Sequence, residues 1–282
     1  MIVKAKESNP KLRISIFCSE FGISKSSFYR AFSVKDKDRE DYEVIKYVFE
    51  KYYQKVGIRQ LKMLIEREFG LVFNHKKIAR IKRKYKLETK IRRKNKYRQF
   101  VKKKQEHETF PNLLNRNFRQ EKPHRVYSTD ITEVKYKGKK AYIAAVKDLC
   151  TREIVGKEVS NRIDLKLTNS AMNKALSKLN QQERSSLMVH SDQGVHFTHK
   201  SFRDLLKQNN VTQSMSRKGN CIDNAPIESF FGILKDHLDL KGCETIKDVK
   251  KEVTKQINYY NHRRPQLALK KMPPSEYRRH LN

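Results

Sequence analysis

The hydrophobic period changes near Arg125, and that change limits the folds open to the chain more than any other feature. Before it, apolar residues recur every three or four positions. After it come three β-rich stretches on short connections, then helical and extended stretches in alternation. Residues 125–136 are rich in β-branched and aromatic side chains and read as a strand. Residues 140–146 and 153–159 read as two more, forming an antiparallel meander. Residues 165–179 have helical spacing, 187–190 form a short strand, 201–209 a helix and 211–215 a fifth strand. A last helix runs from about 223 to 238. The order β-β-β-α-β-α-β-α predicts a mixed α/β class, one sheet with helices on its faces.

The first part of the chain reads as all-α. Residues 11–31 suggest helix, tight turn, helix, with Gly22 supplying a positive φ and Ser24 capping the second helix. Residues 40–90 carry three amphipathic stretches, broken at Gly57 and Gly70, with Asn74 capping the last. The expected organisation is a helix-turn-helix-like segment (1–38), a helical module (39–90), a basic linker (91–122) and an α/β core with a helical tail (123–282).

Charge decides the class of partner. The chain of 282 residues has 64 Lys and Arg against 31 Asp and Glu, a net +33. Residues 76–104 alone hold 16 basic side chains against Glu88. So dense a charge repels itself unless a polyanion neutralises it, which points to nucleic acid. Lys76, Lys77, Arg80, Arg83 and Lys84 on the last helix of the module are the expected DNA contacts, as are Arg217, Lys218 and Asn220 in the loop before the last core helix. No stretch has the ~20 apolar residues of a spanning helix, and no apolar segment follows the basic N-terminus, so neither a membrane nor export is expected. Four scattered cysteines (Cys18, Cys150, Cys221, Cys243) have no metal-binding spacing and read as reduced thiols of a cytoplasmic protein.

Three acids carry the candidate chemistry. Asp130 stands mid-strand, where an unpaired carboxylate facing a core is costly. Asp192 follows the fourth strand just before Gly194, and Glu228 lies 36 positions further on, early in the last helix. Two aspartates on rigid strands and a glutamate on a helix would hold two Mg²⁺ ions ~3.5–4 Å apart for phosphodiester chemistry. Mn²⁺ is expected to substitute. His190, His196 and His199 suit zinc better and read as loop and helix-start residues.

The element order is ribonuclease-H-like, and the motifs narrow it. Thr129-Asp130-Ile131-Thr132, His190-Ser191-Asp192-Gln193-Gly194 and the run from Gly219 through Asp223, Asn224 and Glu228 to Phe231 resemble the DD(35)E signature of the retroviral-integrase superfamily. More narrowly they resemble the IS-three family of bacterial insertion-sequence transposases, in its second-reading-frame product. Tyr260, Asn261, Arg264, Leu267, Pro273 and Pro274 fit that family's closing motif, and residues 56–61 with Asn74 and Lys77 fit its helix-turn-helix-like module. Tyr127 stands where the family usually has Trp, and Gln266 where His is common.

The resemblance implies a DNA transposase that nicks the ends of its element and joins the 3′-hydroxyl to DNA. It implies catalytic, metal-binding roles for Asp130, Asp192 and Glu228. It also implies a contact of Lys235, two helical turns after Glu228, with element-end DNA; an exposed helix lysine is its other reading. Asn220, Asp223 and Asn224 would shape the active-site loop or cap the helix. Partners would be double-stranded DNA at element ends and target, further copies of the chain (at least a dimer on DNA), and an upstream-frame protein or fusion. A DNA-end-binding regulator without catalysis and a ribonuclease-H-type nuclease are the alternatives.

Overall fold

A computed structural model describes residues 13–33, 38–90, 109–217 and 219–281. The chain divides into two compact units, residues 1–89 and 90–282.

In the first unit, α1 (Ile14–Glu20) and α2 (Lys25–Ser33) are joined through Gly22 at φ +58°, and the Ser24 hydroxyl accepts the Ser27 amide at 3.0 Å. Three further helices, α3 (Arg39–Lys51), α4 (Ile58–Phe69) and α5 (His75–Lys84), close on one core. Ile45, Phe49, Leu61, Leu64, Ile65, Ile78 and Ile81 are its centre. Gly70 ends α4 in the left-handed region, and the Asn74 side chain accepts the Lys76 amide at 2.9 Å, so the two breaks fall where the sequence marks them.

The second unit is built on a five-stranded sheet of order β3-β2-β1-β4-β5. Strands β1 (Val126–Tyr136), β2 (Lys139–Asp148) and β3 (Ile154–Ser160) form the antiparallel meander. After α6 (Leu165–Leu176) and α7 (Gln181–Ser185), β4 (Met188–Ser191) joins parallel to β1. Helices α8 (Val195–Thr198) and α9 (Lys200–Gln208) lead to β5 (Thr212–Met215), parallel to β4. A 3₁₀ turn (Cys221–Asn224) opens α10 (Ala225–His237), followed by α11 (Ile246–His262) and α12 (Pro274–Arg279).

The apolar run of β2 explains the layering. Ala144 and Val146 pack with α6 and α9, while Ile143 and Ala145 pack with α10 and α11. A strand buried on both faces needs continuous rather than alternating hydrophobicity. On β3, Gly156 lets α6 approach: a Cβ there would lie 2.2 Å from the Ala171 carbonyl oxygen.

Both sheet edges are covered. Residues 109–118, expected within the basic linker, run along β5. The Met215 amide donates to the Pro111 carbonyl at 3.3 Å, the Ser214 hydroxyl accepts the Leu113 amide at 3.0 Å, and Leu114 is buried. At the other edge Asn261 of α11 accepts the Ile154 amide and donates to the Ile154 carbonyl, both at 3.0 Å.

Candidate active site

Strand register places the acids. Ser128 of β1 lies opposite His190 of the parallel β4, so two residues further on Asp130, still within β1, lies beside the point where the chain leaves β4 at Asp192. Side chains alternate along β1, and Ser128, Asp130 and Val134 share the face that α10 covers. Two bonds fix the start of that helix over Asp130. The Ser128 hydroxyl donates to Asn224 Oδ1 at 2.8 Å, and Lys147 Nζ of β2 donates to the Pro226 carbonyl at 2.8 Å. Glu228 lies in the first turn of α10, where the helix dipole favours a carboxylate, and is exposed.

Electrostatics ties the three acids together. Burial pushes the Asp130 carboxyl up to about 7, and the charges of Asp192 and Glu228 push the same way. Its own Ile131 amide, donating at 2.7 Å, and the charge of Lys235 oppose the rise. Asp192 Oδ1 accepts the Gly194 amide at 2.9 Å. Among the described residues, no three His, Cys, Asp or Glu side chains close on a point as a ready-made metal cage. The donors are nonetheless all hard carboxylate oxygens. The raised Asp130 reflects burial first and the neighbouring carboxylates second, and a divalent cation would relieve that second contribution. The residues fit such an ion by the chemistry of their oxygens, not as a closed cage.

Of the two roles expected of Asp223 and Asn224, bonding within the loop before α10 is seen and helix capping is not. Neither Asp223 nor Asn224 caps the helix through its side chain. Asn224 takes the Ser128 bond instead, and Asp223 is wholly buried beneath arginines. Asp223 Oδ1 accepts Arg116 Nε at 2.8 Å and Arg217 Nη2 at 2.9 Å. Its Oδ2 accepts Arg217 Nε at 2.9 Å, the Arg217 amide at 3.1 Å and Asn112 Nδ2 at 3.0 Å. The Arg217 bonds, reinforced by Arg116, hold this carboxyl far below the usual carboxylate range.

The histidines separate likewise. His199 caps α9, accepting the Ser201 amide at 3.1 Å, and His196 lies in α8, close enough to feel the charge of Asp192. His190 is no loop residue. It is fully buried at the end of β4, 2.9 Å from the Ser214 hydroxyl and 3.2 Å from that of Ser216, and burial lowers its pKa.

Of the expected DNA contacts, Lys76 and Arg83 are exposed on α5. Three others meet acids: Lys77 and Asp41 at 2.6 Å, Arg80 and Asp38 through two 2.6 Å bonds, and Lys84 and Asp38 at 3.0 Å. Asn220 and Lys235 are half-exposed beside the acids' loop and on α10, and Lys218 lies outside the described residues. Sequence reading missed Asn112 and Arg116, which stood in an apparent linker, and Lys147. A lysine closing the apolar run of β2 was the one available signal.

Comparison with known proteins agrees with this architecture. Residues 120–221 and 209–274 each match an integrase core domain, and residues 35–95 match an HTH-like domain. The chain is 35% identical over 260 residues to the InsK protein for insertion sequence element IS150 of Escherichia coli, spanning 91% of this chain and 90% of the relative. It is 34% identical over 172 residues to the transposase for insertion sequence element IS904 of Lactococcus lactis, 60% of this chain and 67% of that one. The chain belongs to the insertion-sequence transposases. The transposase core is also similar to the HTLV-2 integrase catalytic core domain solved with magnesium, at TM-score 0.44 and 16% identity over 55% of this chain and 97% of that one. An integrase core behind an HTH-like domain makes this a DDE-type transposase acting on DNA. Among the described residues no helix is long and apolar enough to cross a membrane.

Proposed function

We propose that Asp130, Asp192 and Glu228 are the catalytic carboxylates of this transposase, and that they hold two Mg²⁺ ions, replaceable by Mn²⁺. The β1–β4 register carries the reading: it sets Asp130, inside β1, beside the end of β4 that Asp192 follows, and Glu228 lies in the first turn of α10 on the same face. Their mutual electrostatic influence on Asp130 supports it. When bound, the ions activate the attacking oxygen and stabilise the leaving one.

The chain's own residues set the geometry for that chemistry. Ser128 and Lys147 fix the first turn of α10 to the two central strands, so Glu228 keeps its height over Asp130. In the first step a water oxygen bonds to phosphorus at the element end and the bond to the 3′-oxygen breaks, leaving a 3′-hydroxyl. In the second step that hydroxyl loses its proton, attacks a target phosphorus and expels another 3′-oxygen. No covalent protein–DNA intermediate is required.

Lys76, Lys77, Arg80, Arg83, Lys84, Arg217, Lys218, Asn220 and Lys235 would contact the DNA. Two ends must be held at once, so the active form is at least a dimer on DNA, with an upstream-frame protein or fusion assisting. It would work in the bacterial cytoplasm, at the nucleoid.

The test uses duplex DNA from the boundaries flanking the reading frame, with Mg²⁺. Wild type should give 3′-end nicks and joined strands. Glu228→Gln and Asp192→Asn should bind the DNA and give neither product. Undiminished cleavage by either variant would sink the carboxylate assignment.

A further inference from the structure

Asp223 has no place among the three acids. Its buried carboxylate receives five donors, which saturate its lone pairs. Two of its partners are not buried: the side chains of Arg116 and Arg217 are 41% and 52% exposed. Arg217 meets the carboxylate edge-on through Nε and Nη2, which turns Nη1 away from it. Arg116 uses Nε alone, which leaves both of its Nη groups pointing elsewhere. Two guanidinium planes are therefore fixed from behind by one anion, with donors left over in front. A flexible surface arginine must be ordered on binding, at a cost; these two are ordered beforehand.

Their location adds to the argument. Asp223 sits in the 3₁₀ turn that opens α10, five residues before Glu228. Arg116 comes from the segment along β5, and Arg217 from the loop after that strand. Among the described residues no second carboxylate is paired with either arginine, so the cluster carries a net positive charge beside the carboxylate-bearing end of the sheet. A ligand that takes several guanidinium donors at once and balances that charge is a phosphate.

We propose that Asp223 pre-organises Arg116 and Arg217 as a rigid two-arginine seat for one backbone phosphate of the DNA substrate. Arg116 and Asp223 thereby join Arg217 as DNA-positioning residues. The seat rests on the proposed course of the DNA past Asp130, Asp192 and Glu228, but binding to it needs neither metal nor chemistry.

The test measures affinity of the full chain for boundary duplex DNA by fluorescence anisotropy, without divalent metal, across a salt series. Arg116→Ala with Arg217→Ala should lower the steepness of log K against log salt by about 0.9, the signature of one lost phosphate contact. Asp223→Asn keeps both cations, so it should leave the slope alone while weakening binding about 3–10-fold, through lost ordering. Arg116→Lys keeps the charge but not the fork and should behave like Asp223→Asn. A double-arginine variant with unchanged slope and affinity would overturn the seat. So would Arg116→Lys binding as wild type, which keeps the proposal falsifiable if Asp223→Asn does not fold. Strand joining by Glu228→Gln in the Mg²⁺ assay would overturn the carboxylate reading and leave these metal-free binding results standing.

Discussion

Glu158 shows how one carboxylate can join three elements. It lies on β3 and accepts Lys174 of α6 and Lys250 of α11 at 2.5 and 3.0 Å. Burial alone would raise its pKa. The hydrogen bonds from Lys174, Lys250 and the Val159 amide outweigh burial and bring it down to about 2. A carboxyl depressed on folding stabilises the native state above its unfolded value near 4.5, and that contribution fades as pH falls through 2. Glu158→Gln should therefore cost on the order of 1 kcal/mol at pH 6, both lysines being about half exposed. The gap between variant and wild type in denaturant melts should close between pH 4.5 and 2. A gap that persists at pH 2 would assign the loss to packing instead. At this scale the candidate acids were legible because each carried a local mark: a carboxylate inside a strand, one before a glycine at a strand end, one at a helix start. Arg116 carried none. Its meaning comes from a partner 107 positions away, and nothing local records that.

The elements were legible for the same physical reason, since period and turn residues are local. Their order and the meander emerged directly from them, whereas the covering of the sheet edges did not. Residues 109–118 look like the end of a basic linker until Ser214 and Asp223 are seen to hold them. Gly156 is a comparable case. Nothing in the sequence separates it from a bulge or a turn glycine, yet it sits where α6 crosses β3 with no room for a methyl group. Gly156→Ala sets a Cβ against the backbone of Ala171 and the Cβ of Ala175, at 2.2 and 3.0 Å. Helix and strand must separate, which should cost about 2 kcal/mol and lower the Tm by roughly 4–8 °C. An unchanged melt would mean that α6 can slide along the sheet without loss.

At the scale of the whole molecule, the two units have separate cores, and the first is complete by Thr89. A fragment of residues 1–90 should be helical by circular dichroism and melt in one cooperative transition; a gradual, non-cooperative loss of signal would show that it borrows stability from the rest of the chain. The unit also modifies what its charge means. Asp38 and Asp41 occupy Arg80, Lys84 and Lys77 on α5, the helix with the densest cationic surface. An anion drawn to these three cations would meet carboxylates already in place, so the helix presents less charge to its surroundings than its sequence counts.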